Sequence, residues 1–64
     1  MTDYEAAMIA EGASPAAGEE EYLEAWQHLV DTGLAWRLQG WFGRTARDLL
    51  RAGLVRPART PTEQ

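Results

Sequence analysis

The chain must fold without disulfide bonds or a thiolate metal site, because none of its 64 residues is a cysteine. A chain of this length lies near the lower limit at which one hydrophobic core can hold a domain together, so these residues form a single domain. In such small chains, apolar burial worth about 25 cal/mol per Å² roughly balances an ordering entropy of about 1.5 kcal/mol per residue. Association with a second copy or a partner would relieve that deficit, so we expect a homo-oligomer.

Two helix-start signals stand in the N-terminal third of the sequence. Thr2 and Glu5 have the spacing of a capping box, in which each side chain accepts a hydrogen bond from the backbone N–H of the other residue. The box predicts a short first helix that ends before Gly12. Ser14-Pro15 is the second signal, because serine caps free amides and proline tolerates the first helical position. A glycine interrupts this start, so we predict that regular helix begins at Glu19.

The helix predicted from Glu19 is amphipathic. Its apolar residues recur at helical spacing: Tyr22, Leu23, Trp26, Leu29 and Val30. Its polar residues fall on the opposite side: Glu20, Glu24, Gln27 and Asp31. This periodicity predicts that the apolar face packs in the core, with Trp26 buried there.

Residues 29–34 and 49–54 share one helix-stop pattern, in which a glycine is followed by a leucine. Glycine accepts the left-handed conformation that ends many helices, and the leucine can pack back on the helix as in a Schellman motif. We therefore predict helix ends at Gly33 and Gly53. The last helix begins at either Leu34 or Gly40. If it is continuous from Leu34, its core stripe consists of Leu38, Phe42, Thr45, Ala46 and Leu49.

These elements predict an all-α fold, a small antiparallel helical hairpin with a short N-terminal helix laid across it. Period-two alternation and β-branched residues are nearly absent, which argues against strands. The alternative is a pair of long helices that dimerise. We assign residues 1–55 to the helical domain. Residues 56–64 contain two prolines and no periodic apolar residue, which predicts an extended or disordered tail.

The net charge of −4 conceals a division along the sequence. Residues 1–31 hold eight acidic groups and no basic ones, whereas residues 32–64 hold all six arginines and two acidic groups. In one interpretation the acidic and basic helices lie side by side, with exposed ion pairs worth about 0.2 to 1 kcal/mol each. In the other interpretation the two charged halves meet different partners.

A candidate binding site lies on the predicted last helix. If that helix is continuous from Leu34, its arginines collect on one quarter of the circumference, away from the core stripe. A further row, formed by one tryptophan, two glycines and one arginine, describes a shallow slot that would admit a partner helix or a planar group. We assign partner binding to six residues: Trp36, Arg37, Gly40, Gly43, Arg44 and Arg47.

Two structural alternatives compete with this assignment. In the first, Gly40 breaks the helix and Trp36 belongs to the core. In the second, local ion pairs of Asp48 with Arg44 and Arg51 occupy part of the arginine stripe. His28 lies four residues after Glu24 and has the spacing of a similar local pair. As a single histidine without a paired nucleophile, it is more typical of a surface residue than of a catalyst.

The sequence contains no pattern of a catalytic, cofactor or metal site. A glycine-rich phosphate loop, a shielded carboxylate pair and metal-ligand spacing are all absent, and His28 alone cannot form a zinc site. We therefore expect no enzyme activity and no cofactor. No apolar run approaches the roughly 20 residues that span a bilayer, and the N-terminus does not read as a signal peptide. We expect no membrane association and a cytoplasmic location.

The segment 25–46 resembles part of a family of very small bacteriophage and prophage proteins of uncharacterised function. The resemblance covers roughly residues 21–54 and centres on Leu-Val-Asp-Thr-Gly-Leu-Ala-Trp (29–36) and Leu-Gln-Gly-Trp-Phe-Gly-Arg-Thr-Ala (38–46). It implies an accessory phage product, made in the cytoplasm of a bacterial host and of the size of proteins that bind and alter a host factor. It implies no particular activity.

These observations favour a helical adaptor or inhibitor that binds a host or phage protein. Nucleic-acid binding ranks second, because arginines and tryptophans contact phosphates and bases, but the acidic half of the chain repels the same backbone. A structural or assembly role in the virion ranks third.

Overall fold

The protein is all-helical over residues 1–58, the part of the chain that the computed structural model describes. Helix α1 spans Asp3–Glu11, α2 spans Glu19–Thr32 and α3 spans Gly40–Ala52, with a single 3₁₀ turn at Leu34–Trp36 between α2 and α3. These residues contain no strand, so the predicted fold class is confirmed. The predicted tail lies largely outside this range, since residues 59–64 are not among the described residues.

The start of each of the first two helices follows from a local signal. Thr2 Oγ1 accepts the Glu5 N–H at 3.1 Å and Glu5 Oε1 accepts the Thr2 N–H at 2.9 Å, which confirms the capping box. The hydrogen bond from the Thr2 backbone lowers the pKa of the Glu5 carboxyl. Helix α2 begins at Glu19 as predicted, but Ser14 does not cap it. The N-cap is Gly18, and the nearby Ala17 N–H donates to Glu21 Oε1 at 2.6 Å.

Both predicted glycine stops are present, but the chain leaves them differently. Gly33 and Gly53 adopt left-handed φ angles of 80° and 77°, which glycine reaches without steric cost. At Gly53 the Leu54 N–H reaches back to Leu49 O at 3.0 Å and completes a Schellman motif. At Gly33 the next N–H turns instead to Thr32 Oγ1 at 3.4 Å, and the 3₁₀ turn follows directly.

Helix α3 begins at Gly40, which is one of the two predicted starts, so the alternative of a helix continuous from Leu34 is wrong. The chain leaves the 3₁₀ turn at Arg37 and re-enters helix three residues later. Leu38, which the continuous helix placed in the core stripe, therefore lies in the connection and is 37% exposed. The rest of the predicted stripe faces inward: Phe42 and Ala46 are buried, and Thr45 and Leu49 are half-buried.

Trp26 lies at the centre of the core, and its side chain is fully buried as predicted. Its indole packs edge-on against Trp41, with ring centroids 6.3 Å apart, and in a tilted arrangement against Phe42, with centroids 5.8 Å apart. The Trp41 and Phe42 rings stack at 4.0 Å. Helix α3 is thus attached to α2 through aromatic side chains. Helix α1 lies against α2 and contributes buried small residues, among them Ala6.

The segment that follows α3 is hydrogen-bonded to α2 through the side chain of Gln27. Gln27 Oε1 accepts the Arg56 N–H at 2.7 Å, and Gln27 Nε2 donates to Arg56 O at 2.9 Å. The same amide nitrogen also donates to Asp31 Oδ1 at 2.9 Å. This two-way clamp holds Val55 in the core, where it is 4% exposed. Ordered packing therefore reaches the residue at which the tail was predicted to begin.

Candidate protein-binding surface

A shallow groove of about 320 Å³ forms where the 3₁₀ turn meets the first half of α3. We call it the arginine groove. It is lined by Ala35, Trp36, Leu38, Gln39, Gly40, Gly43, Arg44 and Arg47. The break before Gly40 creates it, because the 3₁₀ turn ends at Trp36, α3 starts only at Gly40, and the Trp36 ring packs against α3 at Gly43.

The Trp36 indole forms one wall of the groove and is 52% exposed. A Cβ atom added at Gly43 would lie 3.6 Å from Trp36 Cε3 and 3.6 Å from Ala35 O. Gly43 therefore lets the 3₁₀ turn pack closely on α3. The slot that we predicted above the two glycines is occupied at Gly43 by the chain's own tryptophan, so the surface open to a partner is the outer part of Trp36.

We predict that Gly43→Ala stabilises the protein and Gly43→Leu destabilises it. The alanine methyl would make ordinary contacts at 3.6 Å, and alanine in a helix interior is favoured over glycine by about 0.5 to 1 kcal/mol. Leucine would push the Trp36 ring off α3. Thermal unfolding followed by circular dichroism measures both effects. Gly40→Ala is the control, because this residue opens the helix, where propensity matters less; an unstable Gly43→Ala variant would contradict the packing described.

The cations of the groove have no anionic partner among residues 1–58. The local pairs of Asp48 with Arg44 and Arg51 do not form in residues 1–58, and the close contact recorded there lies between His28 Nε2 and Asp3 Oδ1, 2.7 Å apart. The spacing of His28 predicted a local pair with Glu24, but its side chain contacts Asp3 of α1 instead. The acidic and basic helices form no direct ion pairs with each other in the described residues.

Five of the six predicted site residues come together in this groove, although the helix used to group them is broken. The exception is Arg37, which is exposed but does not line it. Sequence reasoning missed Leu38 and Gln39, which line the groove because they lie in the connection. Gln39 Oε1 also accepts the Trp41 Nε1–H at 3.1 Å. Gly40 is the sequence feature that could have identified both residues, because a helix that begins there leaves Leu38 and Gln39 in the connection before it.

A second groove, of about 460 Å³, lies between α1, the α1–α2 connection and the start of α2. We call it the acidic groove. It is lined by Met1, Tyr4, Glu5, Met8, Ile9, Ser14, Pro15, Glu21 and Glu24. Its apolar members include Tyr4, which is 72% exposed, and Met1, which is 48% exposed. Sequence reasoning missed this groove, although Tyr4 and Met8 are four residues apart on the predicted first helix.

The two grooves offer binding contacts of opposite charge. The arginine groove presents a flat aromatic ring beside guanidinium groups, and the acidic groove presents thioether and phenol surface beside carboxylates. Residues 1–58 contain no group of three or more acidic, histidine or cysteine side chains placed to hold a metal ion. In the same residues no helix has the length and apolar character needed to cross a membrane.

Comparison with known proteins gives the chain a family. No curated protein and no solved structure matches it. One family model, described as a domain of unknown function (DUF7417), matches residues 2–64. The match includes the acidic N-terminal helix and the residues after α3, and so extends well beyond the segment 25–46. Because the family model spans nearly the whole chain, the protein belongs to the DUF7417 family.

Proposed function

We propose that this protein is a non-catalytic accessory protein of bacteriophage or prophage origin that binds a host or phage protein in the bacterial cytoplasm and modulates it. The observation that supports binding is the arginine groove, in which a half-exposed indole lies beside two guanidinium groups without an ion-pair partner in residues 1–58. The resemblance of segment 25–46 to small phage proteins supports the origin.

The chemistry of the groove defines the partner surface that it fits. Tryptophan and arginine are the residues most often found as energetic anchors of protein interfaces. The Trp36 ring is positioned by Gly43 and the 3₁₀ turn, so little conformational freedom is lost when a partner covers it. Arg44 and Arg47 lie beside the ring. The complementary surface is therefore acidic and carries an apolar pocket of indole size.

Charge reversal within the groove tests this proposal. We expect Arg47→Glu to weaken partner binding about tenfold, which corresponds to about 1.4 kcal/mol, because it places a carboxylate against an acidic partner surface. Quantitative capture from host lysate identifies the partner, and calorimetry with the purified partner measures the affinity. The matched control is Arg51→Glu, which makes the same change of net charge on the same helix but outside the groove.

The pair of variants separates specific from general electrostatic binding. Equal losses for Arg47→Glu and Arg51→Glu would mean that net charge alone attracts the partner, and unchanged binding for both would remove the arginine groove from the interface.

Nuclease treatment before capture separates a protein partner from nucleic acid, the second candidate. Indole and guanidinium groups also bind single-stranded nucleic acid by stacking on bases and contacting phosphates. The eight acidic groups in residues 1–31, however, repel the negatively charged phosphate backbone. Presence of the protein in purified virions would instead support an assembly role.

A further inference from the structure

Exposed apolar side chains of residues 1–58 are concentrated in the two grooves. Five large hydrophobic residues are exposed in this part of the chain. Met1 and Tyr4 line the acidic groove, Trp36 and Leu38 line the arginine groove, and Leu54 lines a separate depression beside Leu23. Scattered apolar residues on a surface need no explanation, whereas apolar patches rimmed by charge mark interaction sites. The two patches carry opposite charges, so each has the chemistry that the other would bind.

We propose that the acidic groove binds the arginine groove of a second copy of this chain, so that the protein associates head to tail. In this contact the Trp36 indole of one molecule enters the apolar floor formed by Tyr4 and Met8 of the next. Arg44 and Arg47 then face the carboxylates at the rim, among them Glu24. A groove of about 460 Å³ is large enough for an indole with an adjoining guanidinium.

The opposite charges of the two grooves can pair between two molecules, whereas within residues 1–58 of one molecule the grooves form no ion pair with each other. The two grooves share no lining residue: one is built on α1 and the start of α2, the other on the 3₁₀ turn and α3. Both are open, and the described residues of the two charged halves form no ion pairs across α2 and α3. A contact between two different patches leaves one free patch at each end, so it propagates into chains or closes into rings.

Head-to-tail association would regulate partner binding. This inference rests on the proposed function in assigning the arginine groove as a binding surface, and it adds that a second copy competes for that surface. At high protein concentration the groove is occupied by the next molecule, and an acidic partner protein must displace it. The acidic groove of the second copy thereby occupies the surface that would otherwise bind the acidic surface of the partner protein.

Two complementary variants test the polarity of the contact. The first, Arg44→Gln with Arg47→Gln, removes the charge of the arginine groove. The second, Tyr4→Ser with Glu24→Gln, alters the acidic groove without touching the capping box of Glu5 or the backbone hydrogen bond of Glu21. All four side chains are exposed and form no hydrogen bond within residues 1–58, so both variants should keep the wild-type circular dichroism.

Sedimentation velocity over a range of concentrations gives the readout. We expect the wild type to form assemblies that grow with concentration, and each variant alone to associate at least about tenfold more weakly. An equimolar mixture should form a dimer and nothing larger, because each variant retains one intact groove. A monomeric wild type, a mixture that does not associate, or variants that assemble like the wild type would each overturn the proposal.

The same variants distinguish this inference from the proposed function. Tyr4→Ser with Glu24→Gln leaves the arginine groove intact, so it should still bind the partner protein, and at high concentration it should bind more of it than the wild type. Normal partner binding without any self-association would overturn only the head-to-tail contact. Self-association without a partner would overturn only the proposed function.

Discussion

Replacement of Trp26 by alanine is expected to unfold the protein. The side chain is fully buried, and it is the group through which α2 contacts Trp41 and Phe42 of α3. Deletion of a buried tryptophan typically costs about 3 to 5 kcal/mol, because transfer free energy is lost and a cavity remains. Domains have a total stability of only about 5 to 15 kcal/mol, and a chain this small lies at the low end. Thermal and urea unfolding followed by circular dichroism measure the loss.

The control for this experiment is Trp26→Phe. The Trp26 Nε1–H is buried and has no hydrogen-bond acceptor in residues 1–58. Phenylalanine keeps an aromatic ring against Phe42 and removes that unpaired donor, so it should cost much less than alanine. A melting curve of Trp26→Ala that matches the wild type would show that the ring does not hold α2 and α3 together.

Replacement of Trp36 by alanine should have the opposite result, a large loss of binding with the fold retained. About half of this side chain is exposed, and its inner edge contacts Gly43. An anchor tryptophan at an interface typically contributes 2 kcal/mol or more, so we expect an affinity loss of at least about 30-fold for the partner protein. The cost to stability should be about 2 kcal/mol, half of that for Trp26→Ala, because only about half of the side chain is buried.

The matched control is Leu54→Ala. Leu54 is 49% exposed, nearly the same fraction as Trp36, but it lines neither of the two grooves. Calorimetric titration of both variants against the captured partner should show the loss for Trp36→Ala alone. Fluorescence quenching by acrylamide checks the assignment independently, since Trp36 is the most accessible of the three tryptophans. Equal affinity losses in the two variants would mean that any exposed apolar side chain suffices.

Where sequence and structure agree, the determining interactions are local. The capping box of Thr2 and Glu5 and the stop at Gly53 each depend on hydrogen bonds between residues at most five positions apart. Such contacts form wherever the helix forms, so their spacing predicts them. The burial of Trp26 was predicted for a related reason, because helical periodicity indicates which face of α2 is apolar.

The sequence by itself thus determined three helices, two glycine stops and one buried face. Only the tertiary structure decided that α3 begins at Gly40, because both starts satisfied the local rules and the aromatic contacts with α2 select one. It also decided that Gly43 receives Trp36 and that Gln27 binds the backbone of Arg56, 29 residues away. Helical periodicity cannot encode such contacts, since they depend on how separate elements pack against each other. Each of the two grooves is lined by residues of more than one element, so neither could be predicted from one helix alone.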